Sequence, residues 1–286
     1  MNYVKTFSLM VLLIVLFMIV GQAIGGNQGI LFALIFAIGM NFFAYWFSDK
    51  ITLKAYHATE LTQYNYPQIY ARVYPIVSNL AQRANLTMPR LYIVQSSTPN
   101  AFATGRGPKH SAVCITSSIL NLLDDNELSG VLGHELTHVK NKDILTGTIA
   151  ASFAGAISYL AWMAQWGAIF GGFGNNRRNN NVFGLLFIAI ITPIIATIIQ
   201  LAISRQREYA ADKGGANLSG NPLYLANALE KLEYANRITP MQQTHLSQAT
   251  AFMFIINPFR SKTIQSLFST HPPIEKRIER LKTMSM

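Results

Sequence analysis

Three stretches without a charged side chain, residues 6–48, 144–176 and 179–204, set the strongest limit on what this chain can fold into. They make up more than a third of the 286 residues. An apolar run of about 18 residues or more is long enough to cross a hydrocarbon layer about 30 Å thick. The rest of the sequence has the charge density of an ordinary globular domain. The pattern predicts a globular domain that is interrupted, not followed, by membrane segments.

The first stretch holds two apolar runs, Phe7–Ile24 and Ile30–Phe47, separated by Gly25-Gly26-Asn27-Gln28-Gly29. Two runs this close predict a hairpin retained in the bilayer, residues 1–48, rather than a cleaved leader. A second hairpin is expected over 144–204. Its first arm, Ile144–Phe170, is rich in Ala, Gly, Ser and Thr, which suits a helix packed on other helices. Its second, Val182–Ile203, contains Pro193, a kink that membrane helices tolerate. With about four spans, Lys5, Lys50, Lys54, Lys140, Lys142, Arg205 and Arg207 share one side, against Arg177 and Arg178 on the other. Positive residues concentrate on the cytoplasmic side, so both termini and the globular mass are expected there.

The formal net charge of +10 raises the question of nucleic acid. The basic residues are scattered and do not alternate with aromatics, so no nucleic-acid partner is expected. Anionic membrane lipids are the simpler partner. Cys114 is the single cysteine and cannot form an intrachain disulfide.

Two globular blocks remain, 49–143 and 205–286. In the first, Pro67–Ala84 reads as a helix interrupted at Pro75, and Arg90–Gln95 and Ser111–Ile115 read as short strands. The second reads as mostly helical, with Asn221–Asn236 and a final helix opened by Pro272-Pro273. The expected fold is α+β, mostly helical, combined with the membrane helices.

The chemistry is concentrated in Gly133-His134-Glu135-Leu136-Thr137-His138. Asp124 and Glu127 stand three apart just upstream, as a capping residue and its reciprocal partner do, so 125–142 is predicted to be one helix. Residues four apart on a helix share a face, so His134 and His138 can bind one zinc ion, and Glu135 beside them suits a base for water. A catalytic zinc needs a third protein ligand. Glu208 is the best candidate: it lies just after the second apolar hairpin, as His138 lies just before it. The hairpin returns both to one membrane face. Asp212, one turn on from Glu208, can accept the free ring N–H of a ligating histidine.

These stretches, with Asn100-Ala101-Phe102-Ala103-Thr104-Gly105 and Thr270-His271-Pro272-Pro273, resemble the HtpX family of bacterial membrane-integrated zinc endopeptidases, relatives of the CAAX prenyl proteases. The resemblance covers nearly the whole chain. It implies a zincin-like peptidase domain of the gluzincin type and one Zn2+ per chain. His134, His138 and Glu208 would be its ligands and Glu135 the base. It also implies a place in the bacterial inner membrane, polypeptide substrates, and quality control of damaged membrane proteins under stress. The Asn-rich loop 175–181, with its two arginines, departs from that pattern.

Three further expectations concern substrate. His271 is read as a donor to the developing oxyanion, with a plain helix-start histidine as the alternative. Asn100, Ala101 and Phe102 could present an edge strand that pairs with an extended peptide, with an ordinary buried strand as the alternative. Arg277 could orient Asp212 or a substrate carboxylate, but is expected to be solvated with no direct role. His57, His110 and His245 belong to no motif.

A zinc-stabilised membrane scaffold is the non-enzymatic alternative. Structural zinc sites fill all four positions with protein ligands, and only three are evident here.

Overall fold

The computed structural model describes residues 2–147, 149, 205–238, 253–256 and 272–285. Most of the second apolar hairpin, the loop 175–181, His245 and His271 lie outside the described residues.

Helical segment α1 (Asn2–Ala55) does not run straight. On a straight helix Met10 and Asn41 would stand about 46 Å apart, yet Asn41 Nδ2 donates to the Met10 carbonyl over 3.3 Å. Gly26 takes a left-handed φ of +57° at the reversal. The two arms then pack so closely that a Cβ on Gly21 would come within 2.4 Å of the Gly29 carbonyl oxygen. The chain therefore reverses at the glycine loop and its two helical arms pack against each other. The arm Gly26–Phe47, 22 residues of mean hydropathy 2.0, is long and apolar enough to cross a membrane.

The globular part is built on four strands, β1 (Thr59–Glu60), β2 (Arg90–Val94), β3 (Ala101–Gly107) and β4 (His110–Thr116), in the order β1-β2-β4-β3. β2 runs parallel to β4, and β3 is antiparallel to it, so β3 forms one edge of the sheet among the described residues and β1 the other. Side chains alternate across a strand. Val113 and Ile115 therefore join the main core, while Ala112 and Cys114 face the end of α1 with Leu53 and Phe102.

Against the main face lie α2 (Pro67–Ala84) and α4 (Asp125–Lys140), with the short α3 (Ser117–Leu122) between β4 and α4. Pro75 sits inside α2 without ending it, so the expected interruption does not occur. α5 (Arg205–Ser219) and α6 (Pro222–Ile238) pack on α4, and α7 (Ile274–Lys282) packs on α6. Leu128, Val131, Leu132 and Leu136 of α4 are fully buried with Leu225 and Leu229 of α6. α4 is thereby the central helix of the domain. The architecture is the expected helix-rich α+β one.

Candidate metal centre

α4 starts where its capping residues place it. Asp124 Oδ1 accepts the Glu127 backbone N–H over 2.9 Å, and Glu127 Oε2 accepts that of Asp124 over 3.0 Å. The helix ends at Lys140, two residues before the predicted 142, because Lys142 adopts a φ of +60°. Within it, His134 and His138 lie one turn apart with their Nε2 atoms 3.2 Å from each other.

Glycines let α5 approach. A Cβ on Gly215 would stand 2.7 Å from the His134 backbone nitrogen, and one on Gly133 would stand 3.0 Å from the Gly215 carbonyl oxygen. A side chain at either position would hold the helices apart. This contact lies about two turns from Glu208 and brings its carboxylate to the histidines. Oε1 is 3.6 Å from His138 Nε2, and Oε2 is 3.8 Å from His134 Nε2.

This donor set fits a divalent metal. Tetrahedral bonds of about 2.0–2.1 Å place neighbouring donors about 3.3–3.4 Å apart, close to the distances found. The outer ring nitrogens point the same way: His134 Nδ1 lies 3.0 Å from Asp212 Oδ1, and His138 Nδ1 lies 3.2 Å from Asp143 Oδ2. A carboxylate at Nδ1 favours the tautomer with its proton there, which turns the Nε2 lone pair inward on both rings. Once His138 has given up its second proton, two lone pairs facing each other at 3.2 Å would repel, and a cation between them converts that repulsion into binding.

Glu135 is buried beside the triad, and its Oε2 accepts the Ala103 backbone N–H of β3 over 3.0 Å. Burial pushes its carboxyl up to about 8; Glu208 adds to that, while His138 and the Ala103 N–H oppose it. For His138, burial favours the neutral ring. The Asp143 hydrogen bond and the charges of Glu208 and Glu135 outweigh it and hold the ring at about 9. Burial lowers His134 against the pull of Asp212. Burial alone would raise Asp212, but Arg277 and His134 hold it well below the usual carboxylate range.

The structure therefore brings together His134, Glu135, His138, Glu208 and Asp212, drawn from blocks on either side of the apolar stretch 144–204. Of the two readings of Arg277, it shows the contact with Asp212 and overturns the solvated one. This side chain is 1% exposed, and its Nε and Nη2 donate to the two oxygens of Asp212 over 2.9 and 2.6 Å. A charged residue in a short polar helix looked solvated, yet Ile274, Ile278 and Leu281 turn that helix face inward.

Asn100 lies just before β3, and Ala101 and Phe102 open that strand at one edge of the sheet. All three are buried, with Phe102 packed on Tyr56 at a ring distance of 5.3 Å. His57 and His110 are exposed and away from the centre. Asp143 is the member that reading from sequence missed. Its signal was its position five residues after His138, inside a run of lysines that reads as a solvated helix end.

Comparisons with known proteins give the family. The family model described as Peptidase family M48 matches residues 67–285. A "Protease HtpX homolog" of Thermodesulfovibrio yellowstonii is 54% identical over 286 residues, covering 100% of this chain and 99% of that protein. One of Thermococcus kodakarensis is 50% identical over 284 residues, covering 99% and 96%. Among solved structures, the crystal structure of S. mikatae Ste24p matches with a TM-score of 0.55 at 17% identity, a likeness of fold. It covers 98% of this chain, which spans 65% of that longer one. Matched by the family model over most of its length and sharing half its residues with full-length protease relatives, the chain belongs to peptidase family M48 and is a metalloendopeptidase.

Proposed function

We propose that the metal is a single zinc ion held by His134, His138 and Glu208, and that Glu135 is the general base of peptide-bond hydrolysis. The observation that carries this reading is the convergence of both Nε2 atoms and the Glu208 carboxylate on one point, with Glu135 next to it. Bound by these three residues, zinc would supply Lewis-acid polarisation of the scissile carbonyl and a more acidic water. Glu135 then takes a proton from the water and passes it to the leaving amine. The Ala103 N–H aims its carboxylate, and Asp212 and Asp143 keep the histidine rings in register. Asn100, Ala101 and Phe102 support backbone pairing of an extended substrate along β3, and His271 is proposed as the oxyanion donor.

The membrane part of the proposal has four spans, in the hairpins 1–48 and 144–204, with both termini and the catalytic domain in the cytoplasm of a bacterial cell. Exposed Phe32, Ile35, Phe36, Phe42 and Phe43 along the first hairpin support lipid contact, since a soluble surface rarely carries so continuous an apolar patch. The distribution of Lys and Arg supports the orientation. Damaged or unfolded membrane proteins are the substrates this placement favours, in quality control under stress. The relatives are named as proteases, which fits hydrolysis of polypeptides.

The test compares Glu135→Gln with wild type for bound zinc and for cleavage of an unfolded test protein. Retained zinc with cleavage reduced by at least about a hundredfold is expected of a lost general base. Equal cleavage by both proteins removes Glu135 from the chemistry.

A further inference from the structure

Among the described residues Arg277 is the largest fully buried side chain, and it comes from α7. A guanidinium taken out of water is tolerated only when its donors are satisfied and its charge is paired. Here Nε and Nη2 take both oxygens of Asp212, and Nη1 donates to the Ile255 carbonyl over 2.6 Å. Attachment of α7 does not require this residue, because Ile274, Ile278 and Leu281 already pack that helix on the core. A methionine of similar size would fill the volume. The need for an arginine lies in what it holds.

It holds two things. The Asp212 oxygen that receives Nη2 over 2.6 Å is the same Oδ1 that stands 3.0 Å from His134 Nδ1. Fixing that oxygen fixes the carboxylate against which the histidine ring stands. On the other side, the Ile255 N–H donates to Asn100 Oδ1 over 3.2 Å. Asn100 in turn is clasped to β4, its own N–H donating to Thr116 Oγ1 over 2.8 Å and its carbonyl accepting the Thr116 N–H. A continuous path thus runs from the start of β3 through Ile255, Arg277 and Asp212 to His134. Nη1 also lies 4.0 Å from Glu208 Oε2, so the guanidinium charge bears on a second proposed ligand.

We infer that Arg277 is a positioning residue: one guanidinium sets His134 for the metal through Asp212 and seats the start of β3 through Ile255. The inference rests on the proposed role of His134 as a ligand. Lysine at 277 keeps the charge but not the planar fork, and cannot hold both Asp212 oxygens and Ile255 together.

The experiment uses full-length protein in detergent. Zinc affinity is measured by chelator competition, ligand geometry by the visible spectrum of the cobalt-substituted protein, and folding by the Tm of chelator-treated samples. Arg277→Lys is expected to bind zinc about 10–100-fold more weakly, with displaced cobalt bands and a chelated Tm near that of wild type. Asp212→Asn is expected to do the same, and the double variant to be no weaker than Asp212→Asn alone, because one residue acts through the other. Wild-type affinity and spectrum in Arg277→Lys, or losses that add in the double variant, overturn the inference. If Arg277→Lys fails to fold, Arg277→Gln is judged by the same two criteria. A wild type that binds no zinc defeats the metal reading itself; zinc binding indifferent to position 277 defeats this inference alone.

Discussion

His138 and Asp143 face each other across the turn that ends α4, Nδ1 to Oδ2 at 3.2 Å. The left-handed residue Lys142 folds the chain back so that a carboxylate five positions on reaches the ring. Arg207 Nη1, 3.5 Å from Asp143 Oδ1, ties the same carboxylate to the first turn of α5. A carboxylate behind a ligating histidine is worth about 10–100-fold in metal affinity. Asp143→Asn is therefore expected to weaken zinc binding by about that factor in a chelator competition.

Metal binding at this centre should release a proton at neutral pH. His138 is held at about 9 by Asp143, Glu208 and Glu135 against its burial, so it carries a proton that the metal must displace. The ring's contribution to the stability of the protein without metal has the opposite sign. It is fully present below the ordinary histidine value of about 6.5 and is lost as pH rises through about 9. Zinc affinity is expected to rise about tenfold per pH unit from 7 towards 9, with proton uptake by buffer visible in calorimetry. An affinity flat across that range counts against the assignment.

Gly215 offers a steric test of how the site is assembled. A methyl there would meet the His134 backbone nitrogen at 2.7 Å, and neither partner is a flexible side-chain end. Gly215→Ala is expected to cost about 1–3 kcal/mol of stability and to reduce bound zinc, because moving α5 moves Glu208. Gly39, with nothing within 4 Å of its would-be Cβ, is the control, and Gly39→Ala should leave zinc content unchanged. Thermal unfolding and metal analysis of both variants read the difference.

The parts of this molecule legible from sequence are those set by local rules. The Asp124–Glu127 capping box, the four-residue spacing of His134 and His138, and the glycine turn of the first hairpin each follow from a few neighbouring residues. The parts that were hidden depend on contacts between distant segments. Arg277 lies 65 positions from Asp212, and nothing in its own helix announces that it is buried. Asp143 sits among lysines, and its role appears only once Lys142 turns the chain. Pro75 misled in the other direction, since α2 runs through it.

The pairing of Glu208 with the two histidines joins both halves of the domain, and it is the point on which the account depends most. Its direct measure is the zinc content of purified Glu208→Ala beside wild type, with folding checked by the Tm of both after chelation. One zinc per chain in wild type and a stoichiometry falling well below that in the variant is the predicted result. A variant that folds and retains one zinc per chain at undiminished affinity would contradict the account.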